Sequence, residues 1–394
     1  MPRLVRDRPT WVMYVQLALW VYFLYGFGPV APLLRDEFHV SRTLTSLHGT
    51  AFAAGGVFGG AVLPMLTRRL GRHRLIWGGL GLISLAAIGM FAAHHIALTL
   101  TCALLGSLGG AMAVNAINAA LTDHHGTAAP AAISEANAAA AGVGVVAPLI
   151  VGATYAAGWG WRSGLVLVVV PVLVLAWYAR TAAVRPPEPA RPGGQHAPRR
   201  PLPQTFPLAL ASLFATGSIE ICLALWGSEV LRDHAHVSAG VATAAVSTLI
   251  AGMLFGRLLG GRLVLRFRPT RMLLAALAVT LVGFALFWAA TQPALAMAGL
   301  VVAGLGMGLH YPLGIGLALA HSDGQPDLAA ARSSFAVGIA FAVAPFVLGA
   351  LADRVGPHAA FLLVPAFALV SALAIVRLDR LTLAPAPAPA PQAR

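Results

Sequence analysis

Long apolar segments without formal charge are the feature of this sequence that most constrains its fold. Examples are the segments 12–34, 44–66, 75–93 and 163–178. A bilayer core about 30 Å thick is crossed by roughly 20 apolar residues in a helix. Only helices and closed barrels satisfy their backbone hydrogen bonds in lipid, and these segments are too long for barrel strands. The sequence therefore predicts an all-α membrane protein.

The composition also indicates a membrane protein. Hydrophobic residues make up 58% of the chain and charged residues only 10%, whereas soluble domains carry about 25% charged residues. A chain with so few charges cannot cover a surface that faces water. Both cysteines, Cys102 and Cys222, lie within apolar segments, so we expect neither a disulfide framework nor a metal site.

The hydropathy pattern divides the chain into twelve spans. We place them at 12–34, 44–66, 75–93, 96–121, 131–157, 163–179, 207–231, 239–264, 272–290, 294–320, 329–352 and 358–376. All 26 basic residues are arginines. With the N terminus inside, twenty of them fall on cytoplasmic segments or span ends and five on outer ones. The positive-inside rule then predicts a multi-pass protein of the cytoplasmic (inner) membrane with both termini in the cytoplasm.

The longest polar stretch separates two halves of six spans each. Residues 181–206 are rich in Pro, Gly and Arg, a composition typical of a linker without a packed core. We therefore delimit an N-terminal bundle at 1–180, a cytoplasmic linker at 181–206 and a C-terminal bundle at 207–380. The Pro-rich segment 381–394 is predicted to be a disordered cytoplasmic tail.

The two halves match each other at a constant offset of 197 residues. Leu-Arg-Asp at 34–36 corresponds to Leu-Arg-Asp at 231–233, and Ala147-Pro148 corresponds to Ala344-Pro345. Phe58-Gly59 and Phe255-Gly256 also match without a shift. Such parallel repeats predict two similar bundles related by an axis along the membrane normal, with a site between them near the midplane.

The loop between spans two and three carries a family resemblance. It retains Arg69, Gly71 and Arg72 of the pattern Gly-x-x-x-Asp-Arg-x-Gly-Arg-Arg, in which Pro64 and Arg68 replace the Gly and the Asp. The second-half copy at 261–270 also lacks the Asp. Over essentially its whole length the chain resembles the major facilitator superfamily, although the acidic partner of that family's inner gate is missing in both copies.

Span five is loosely similar to the antiporter signature of this family, Gly-x-x-x-Gly-Pro-x-x-Gly-Gly. Pro148 and Gly152 are retained, whereas other residues replace three of the glycines. The resemblance implies twelve transmembrane helices in two six-helix bundles, with spans one, four, seven and ten around a central cavity. It also favours export. We assign gating to Arg69, Gly71, Arg72, Glu135, Pro148 and Pro345; Glu135 alternatively caps the positive end of span five.

Two titratable residues fall near the midplane of predicted cavity helices. Glu220 lies about 16 Å from the outer end of span seven, and His310 about 15 Å from the inner end of span ten, at 1.5 Å per residue. Polar groups inside the bilayer are costly and mark ion or substrate pathways. We therefore interpret both residues as proton-coupling groups. The alternatives are a protonated, hydrogen-bonded packing residue for Glu220 and a neutral, hydrogen-bonded imidazole for His310.

Six further residues are candidates for substrate binding: Tyr25, Asn115, Asn118, Trp226, Arg257 and Tyr311. Aromatic residues at such positions stack on solutes, but they also serve as ordinary packing or interface residues. The asparagines are equally suited to interhelical hydrogen bonds. Arg257 either binds an anionic substrate, pairs with a buried acid or extends to the cytoplasmic surface.

The chain lacks signals for other chemistry. It contains no Lys and hence no phosphate-binding loop of the nucleotide-hydrolysing type. We expect no enzyme activity, no cofactor, no metal and no nucleic-acid partner. The sequence predicts a monomeric, proton-coupled secondary transporter in the lipid bilayer that exports a small-molecule drug or metabolite. The alternatives are uptake of a small organic anion and a transporter-like sensor that does not translocate its ligand.

Overall fold

The computed structural model describes residues 5–126, 129–185, 202–263, 267–323 and 326–383. Within these ranges the regular structure is helical and no β-strand occurs, which confirms the predicted all-α fold. Most of the predicted linker, 186–201, and the predicted tail from residue 384 onward lie outside the described residues.

The described residues form fifteen α-helices. They are α1 Arg8–Phe27, α2 Ala31–Phe38, α3 Arg42–Phe91, α4 Ile96–His125, α5 Ala129–Ala156, α6 Trp161–Val166, α7 Val169–Thr181, α8 Phe206–Asp233, α9 Ala239–Leu263, α10 Pro269–Ala289, α11 Pro293–Met307, α12 His310–Ala320, α13 Pro326–Val355, α14 Pro357–Ala360 and α15 Leu363–Leu383. A 3-10 turn, Gly28–Val30, connects α1 to α2.

Eleven helical stretches in the described part of the chain are long and apolar enough to cross a membrane. They coincide with eleven of the twelve predicted spans. The remaining predicted span, 44–66, forms the first part of α3, which continues into the third span. A single residue makes the bend, because Gly71 has φ 77° and ψ 159°. This backbone conformation is accessible to glycine and strained for other residues, so one glycine replaces the polar loop expected from the sequence.

Four helix breaks share one cause. Each begins four residues before a proline: at Gly28 before Pro32, at Leu167 before Pro171, at Gly308 before Pro312 and at Phe361 before Pro365. Proline has no backbone N–H for the carbonyl four residues earlier, and its ring collides with that carbonyl. The predicted spans one, six, ten and twelve are therefore each divided into two helices.

Glycines bring the helix backbones of each half into contact. A Cβ atom on Gly55 of α3 would lie 2.2 Å from the carbonyl oxygen of Leu104 in α4. A Cβ atom on Gly252 of α9 would lie 2.2 Å from the carbonyl oxygen of Val301 in α11. These two contacts correspond at the 197-residue offset, so the sequence repeat reappears as the same backbone packing. Such small-residue contacts replace the hydrophobic driving force that is absent between helices in lipid.

The two most extensive helix contacts between the halves are made by α5 with α9 and by α3 with α13. α5 packs against α9, where a Cβ on Gly152 would lie 2.5 Å from the carbonyl oxygen of Gly240. α3 packs against α13, where a Cβ on Gly349 would lie 2.3 Å from Ser46 Oγ. Both contacts lie toward the end of the molecule predicted to face outward.

Replacing Gly252 by Ala should destabilise the protein by about 1–3 kcal/mol, because the added methyl group collides with backbone that cannot move independently. The measurement is thermal unfolding of the detergent-purified protein. Gly81→Ala is the matched control, since a Cβ at Gly81 meets nothing within 4 Å. Alanine favours helix, so the control should be neutral or stabilising. Equal melting temperatures for the two variants would contradict the packing argument.

Candidate functional site

Three adjoining cavities lie near the centre of the molecule; two have walls from both halves, and the third is lined by the second half alone. The largest, about 610 Å³, is lined by Trp20, Phe52 and Asn115 of the first half and by Phe335 and Phe341 of the second. We call it the aromatic cavity. A cavity of this size is within the range of small-molecule sites.

Two smaller polar cavities adjoin the aromatic cavity. One, about 200 Å³, is lined by Glu220, Arg257, His310 and Tyr311. The other, about 170 Å³, is lined by residues that include Tyr25 and Arg257. Shared wall residues connect the three spaces: Phe341 and Val337 line the aromatic and first polar cavities, and Leu24 lines the aromatic and second polar cavities. The centre therefore combines an apolar aromatic surface with a few converging charged and polar groups.

Glu220 lies at the middle of α8 and faces the first polar cavity. Tyr25 Oη, from α1 of the other half, donates a hydrogen bond of 3.4 Å to Glu220 Oε1. The carboxyl group is thus the point at which a titratable side chain of one half contacts the other half inside the membrane.

Arg257 of α9 is exposed and lines both polar cavities, the first of them together with Glu220. Within the described part of the chain its guanidinium group has neither an ion pair nor a hydrogen bond. An exposed guanidinium group in a central cavity is suited to binding carboxylate or phosphate groups, often with two parallel hydrogen bonds.

His310 is buried at the first turn of α12, beside the break that Pro312 causes. Its Nε2 lies 3.1 Å from Thr280 Oγ1, and its Nδ1 has no side-chain hydrogen-bond partner among the described residues. Tyr311 follows it and is 47% exposed at the same cavity. Broken helices in transporters commonly mark substrate and ion sites near the midplane.

The other predicted substrate residues have separate positions. Asn115 lines the aromatic cavity, although its Nδ2 donates to its own helix at Ala111 O, 2.8 Å away. Asn118 has a buried Oδ1 without a partner among the described residues. Trp226 is only 1% exposed and packs in the core of the second half, away from these cavities. Its place in the structure is therefore that of a packing residue, unlike the cavity position expected from the sequence.

The predicted inner-gate residues make contacts within the first half. Arg72 Nη1 pairs with Asp123 Oδ2 of α4 at 2.6 Å. Asp123 thus supplies a carboxylate for the loop whose own acidic residue is missing. Glu135 accepts two hydrogen bonds from Arg6, at 2.9 and 2.6 Å, whereas Arg69 is exposed.

The two predicted gating prolines lie inside uninterrupted helices. Pro148 is part of α5 and Pro345 is part of α13. Pro345 also lies at the contact between the halves, where a Cβ on Gly49 of α3 would be 3.2 Å from Pro345 Cγ.

A cluster of charges at the opposite end joins the two halves; we call it the outer cluster. Its central residue is Glu229, 1% exposed, which binds Arg35 and accepts a 2.8 Å hydrogen bond from Arg42 Nε. Arg232 Nη2 donates to Asp36 Oδ2 at 2.6 Å. Each of these bonds connects a residue of the first half to one of the second.

Asp353 extends the outer cluster by capping α3. Its carboxylate accepts hydrogen bonds from the backbone N–H groups of Arg42 and Thr43, at 3.0 and 2.9 Å, and from Thr43 Oγ1 at 2.6 Å. At the other end of the molecule, the described ion pairs remain within one half. Among the described residues, the ion pairs that connect the two halves therefore lie at the outer cluster, which holds this end of the molecule closed.

No local sequence pattern predicts the outer cluster. Its residues come from segments about 200 and 310 positions apart, and only the repeated Leu-Arg-Asp indicated that Asp36 and Arg232 occupy related places. The repeated Leu-Arg-Asp at the outer ends of spans one and seven is the feature of the sequence that indicates this cluster.

The fold and the central cavity are those of a multi-pass membrane transporter, and the comparisons with known proteins agree. The model of the Major Facilitator Superfamily matches residues 13–228 and 208–394, so the chain belongs to that superfamily. No curated protein matches the chain at the level of sequence.

Solved structures of transporters share the fold. The chain is similar to a bacterial homolog of the human lysosomal transporter Spinster in an inward-facing and occupied conformation, with a TM-score of 0.79, 18% identity and coverage of 96% of this chain and 98% of that one. It is also similar to a D-xylose–proton symporter, with a TM-score of 0.75, 12% identity and coverage of 94% and 96%. A nucleoside transporter gives a TM-score of 0.77 at 12% identity, covering 94% and 98%.

Neutralising Glu229 should open the outer end. Glu229→Gln removes the carboxylate that two arginines share, leaving like charges facing each other, and a broken buried pair costs about 3–5 kcal/mol. Hydrogen–deuterium exchange should then increase in peptides that cover residues 38–46 and 230–240. Glu37→Gln is the control, because Glu37 pairs with Arg162 at the same end but within one half. Unchanged exchange in the Glu229 variant would show that the cluster does not close this end.

Proposed function

We propose that this transporter couples the movement of a small organic solute to protons by alternating access, with Glu220 as the coupling group. The observation that carries the proposal is the contact of Glu220 with Tyr25 across the two halves, inside a cavity that also contains Arg257. We further propose that the chain acts as a monomer in the cytoplasmic (inner) membrane, with both termini in the cytoplasm, as the arginine distribution predicts.

The coupling follows from the cost of charge in the membrane. An ionised carboxyl group near the midplane requires water or a counter-charge, whereas the protonated group does not. The ionised Glu220 attracts Arg257 of its own half and accepts a charge-assisted hydrogen bond from Tyr25 of the other half; protonation removes the attraction to Arg257 and weakens the bond from Tyr25. A proton that reaches Glu220 therefore changes an interaction between the halves, which is the kind of differential contact that shifts a conformational equilibrium. His310, in the same cavity, is the second candidate for carrying a proton.

Export of a drug or metabolite is the direction that we propose. The partial antiporter signature at Pro148 and Gly152 supports it, and Gly152 lies in the contact of α5 with α9 of the other half. The aromatic cavity, with Trp20, Phe52 and Phe341 in its walls, suits a solute with a flat or apolar body.

Uptake of a small organic anion is the second candidate, and Arg257 favours it. Its guanidinium group faces both polar cavities without an ion pair in the described residues. A carboxylate on the solute would provide the missing counter-charge. A transporter-like sensor that binds without translocation is the remaining alternative, and counterflow in proteoliposomes distinguishes it, because a sensor exchanges no solute.

Glu220→Gln should abolish the dependence of solute movement on the proton gradient while leaving counterflow measurable. Glutamine retains the size and hydrogen-bonding capacity of the side chain but does not titrate. The measurement is solute flux in proteoliposomes with and without an imposed pH difference, using a solute found by thermal-shift screening. Asp379→Asn is the control, because Asp379 pairs with Arg268 away from the cavities. Full proton coupling in the Glu220 variant would disprove the assignment.

Arg257→Gln should weaken binding of an anionic solute roughly tenfold or more, because hydrogen bonds to charged groups contribute about 1.5–3 kcal/mol each. Arg257→Lys should recover part of the affinity, since it keeps the charge but not the planar fork. Thermal-shift titrations with a carboxylate ligand and its uncharged amide measure this loss of affinity. Equal loss of affinity for both ligands would mean that Arg257 acts through packing.

A further inference from the structure

A second cavity lies outside the central site, on the predicted cytoplasmic side of the second half. It has a volume of about 550 Å³ and lies between α9, α10 and α11. None of its lining residues contributes to the aromatic or polar cavities. We call it the lateral groove.

The walls of the lateral groove are apolar, with one exception. Glycine, alanine, leucine, valine, methionine and phenylalanine make up the lining apart from Arg271. Leu259 and Phe267 are 62% and 55% exposed. The exposed apolar surface continues from Val279 along α10 to Val282 and Leu286, as expected for a face that contacts lipid. The groove is therefore suited to a hydrocarbon chain and not to a water-soluble solute.

Arg271 gives the groove a polar end. The residue is exposed in the first turn of α10 and has no ion pair or hydrogen bond within the described part of the chain. Its neighbour Arg268, by contrast, pairs with Asp379 at 3.5 Å. A positive charge at the mouth of an apolar groove complements a molecule with a negative head and an apolar tail.

The length of the groove matches one leaflet. Arg271 and Val279 are eight residues apart on α10, so the groove extends about 12 Å along that helix. Half of a hydrocarbon core that is about 30 Å thick is about 15 Å. A chain that begins at Arg271 therefore ends near the midplane, as an acyl chain of the same leaflet does.

We propose that the lateral groove binds one anionic phospholipid of the cytoplasmic leaflet, with an acyl chain between α10 and α9 and its phosphate at Arg271. Basic pockets between transmembrane helices on the cytoplasmic side are suited to such head groups. The site is independent of the central cavity and of the coupling proposed for Glu220.

Native mass spectrometry of the detergent-purified full chain tests the proposal, with dioleoyl-phosphatidylglycerol and dioleoyl-phosphatidylcholine as probes. The two lipids share their acyl chains and differ in net charge. We expect the anionic lipid to bind more tightly, and Arg271→Gln to weaken it about fivefold, since one basic side chain near the surface contributes about 1 kcal/mol. Binding of the zwitterionic lipid should change little in this variant.

Two further variants separate this site from non-specific attraction. Arg74→Gln is the matched control, because Arg74 is the residue equivalent to Arg271 in the first half, is also exposed, and does not line the groove. It should leave the preference for the anionic lipid intact. Ala275→Phe fills the groove from an exposed position and should weaken binding of both lipids.

Three results would overturn the proposal. Equal losses in the Arg271 and Arg74 variants would indicate general surface charge. Unchanged lipid binding in Ala275→Phe would exclude the groove as the acyl site. Thermal stabilisation by inorganic phosphate equal to that by the anionic lipid would indicate a site for a soluble anion.

Discussion

In lipid, each backbone amide must form its hydrogen bond within its own helix, and this constraint governs the rest of the structure. It accounts for helices that run almost without interruption between the two membrane surfaces. It also accounts for the places where they break, because each of the four breaks begins at a carbonyl whose usual donor, four residues later, is replaced by a proline. One of these breaks lies beside His310, so the same constraint places irregular backbone next to the central cavity, where polar groups are available.

The two halves share their helix packing but differ in the residues that line the central cavities. Gly55 and Gly252 occupy equivalent positions and make equivalent backbone contacts. At the central site, however, the first-half equivalents of Glu220, Arg257 and His310 are Phe23, Gly60 and Ala113. The titratable groups are thus concentrated in the second half, and the first half contributes Tyr25, Asn115 and aromatic surface. The ionisable side chains of the polar cavities therefore lie on the side of the second half, opposite Tyr25 of the first.

The sequence was sufficient to predict the fold because hydropathy, arginine distribution and a constant repeat offset are independent signals that agree. The polar residues near the midplane were also predictable, since few ionisable residues lie within apolar spans, and Glu220, Arg257 and His310 do line one cavity. Trp226 was not predictable in the same way: its depth along α8 follows from the sequence, but the helix face that it occupies depends on neighbours from other helices. The outer cluster was missed for a related reason. Arg42, Glu229 and Asp353 are separated by more than a hundred residues from one another, and no local pattern indicates that they meet.

The outer cluster contains charges in two different environments. Glu229 is removed from water, whereas the side chain of Asp36, the partner of Arg232, is 38% exposed. Dissolved salt screens the exposed pair strongly and the buried one weakly. The outer end is therefore held closed by the contacts of Glu229, which ionic strength changes little, and by the pair of Asp36 with Arg232, which weakens as ionic strength rises. In the proposed orientation, the resting balance between conformations should consequently shift with the ionic strength outside the cell, even when neither solute nor proton concentration changes.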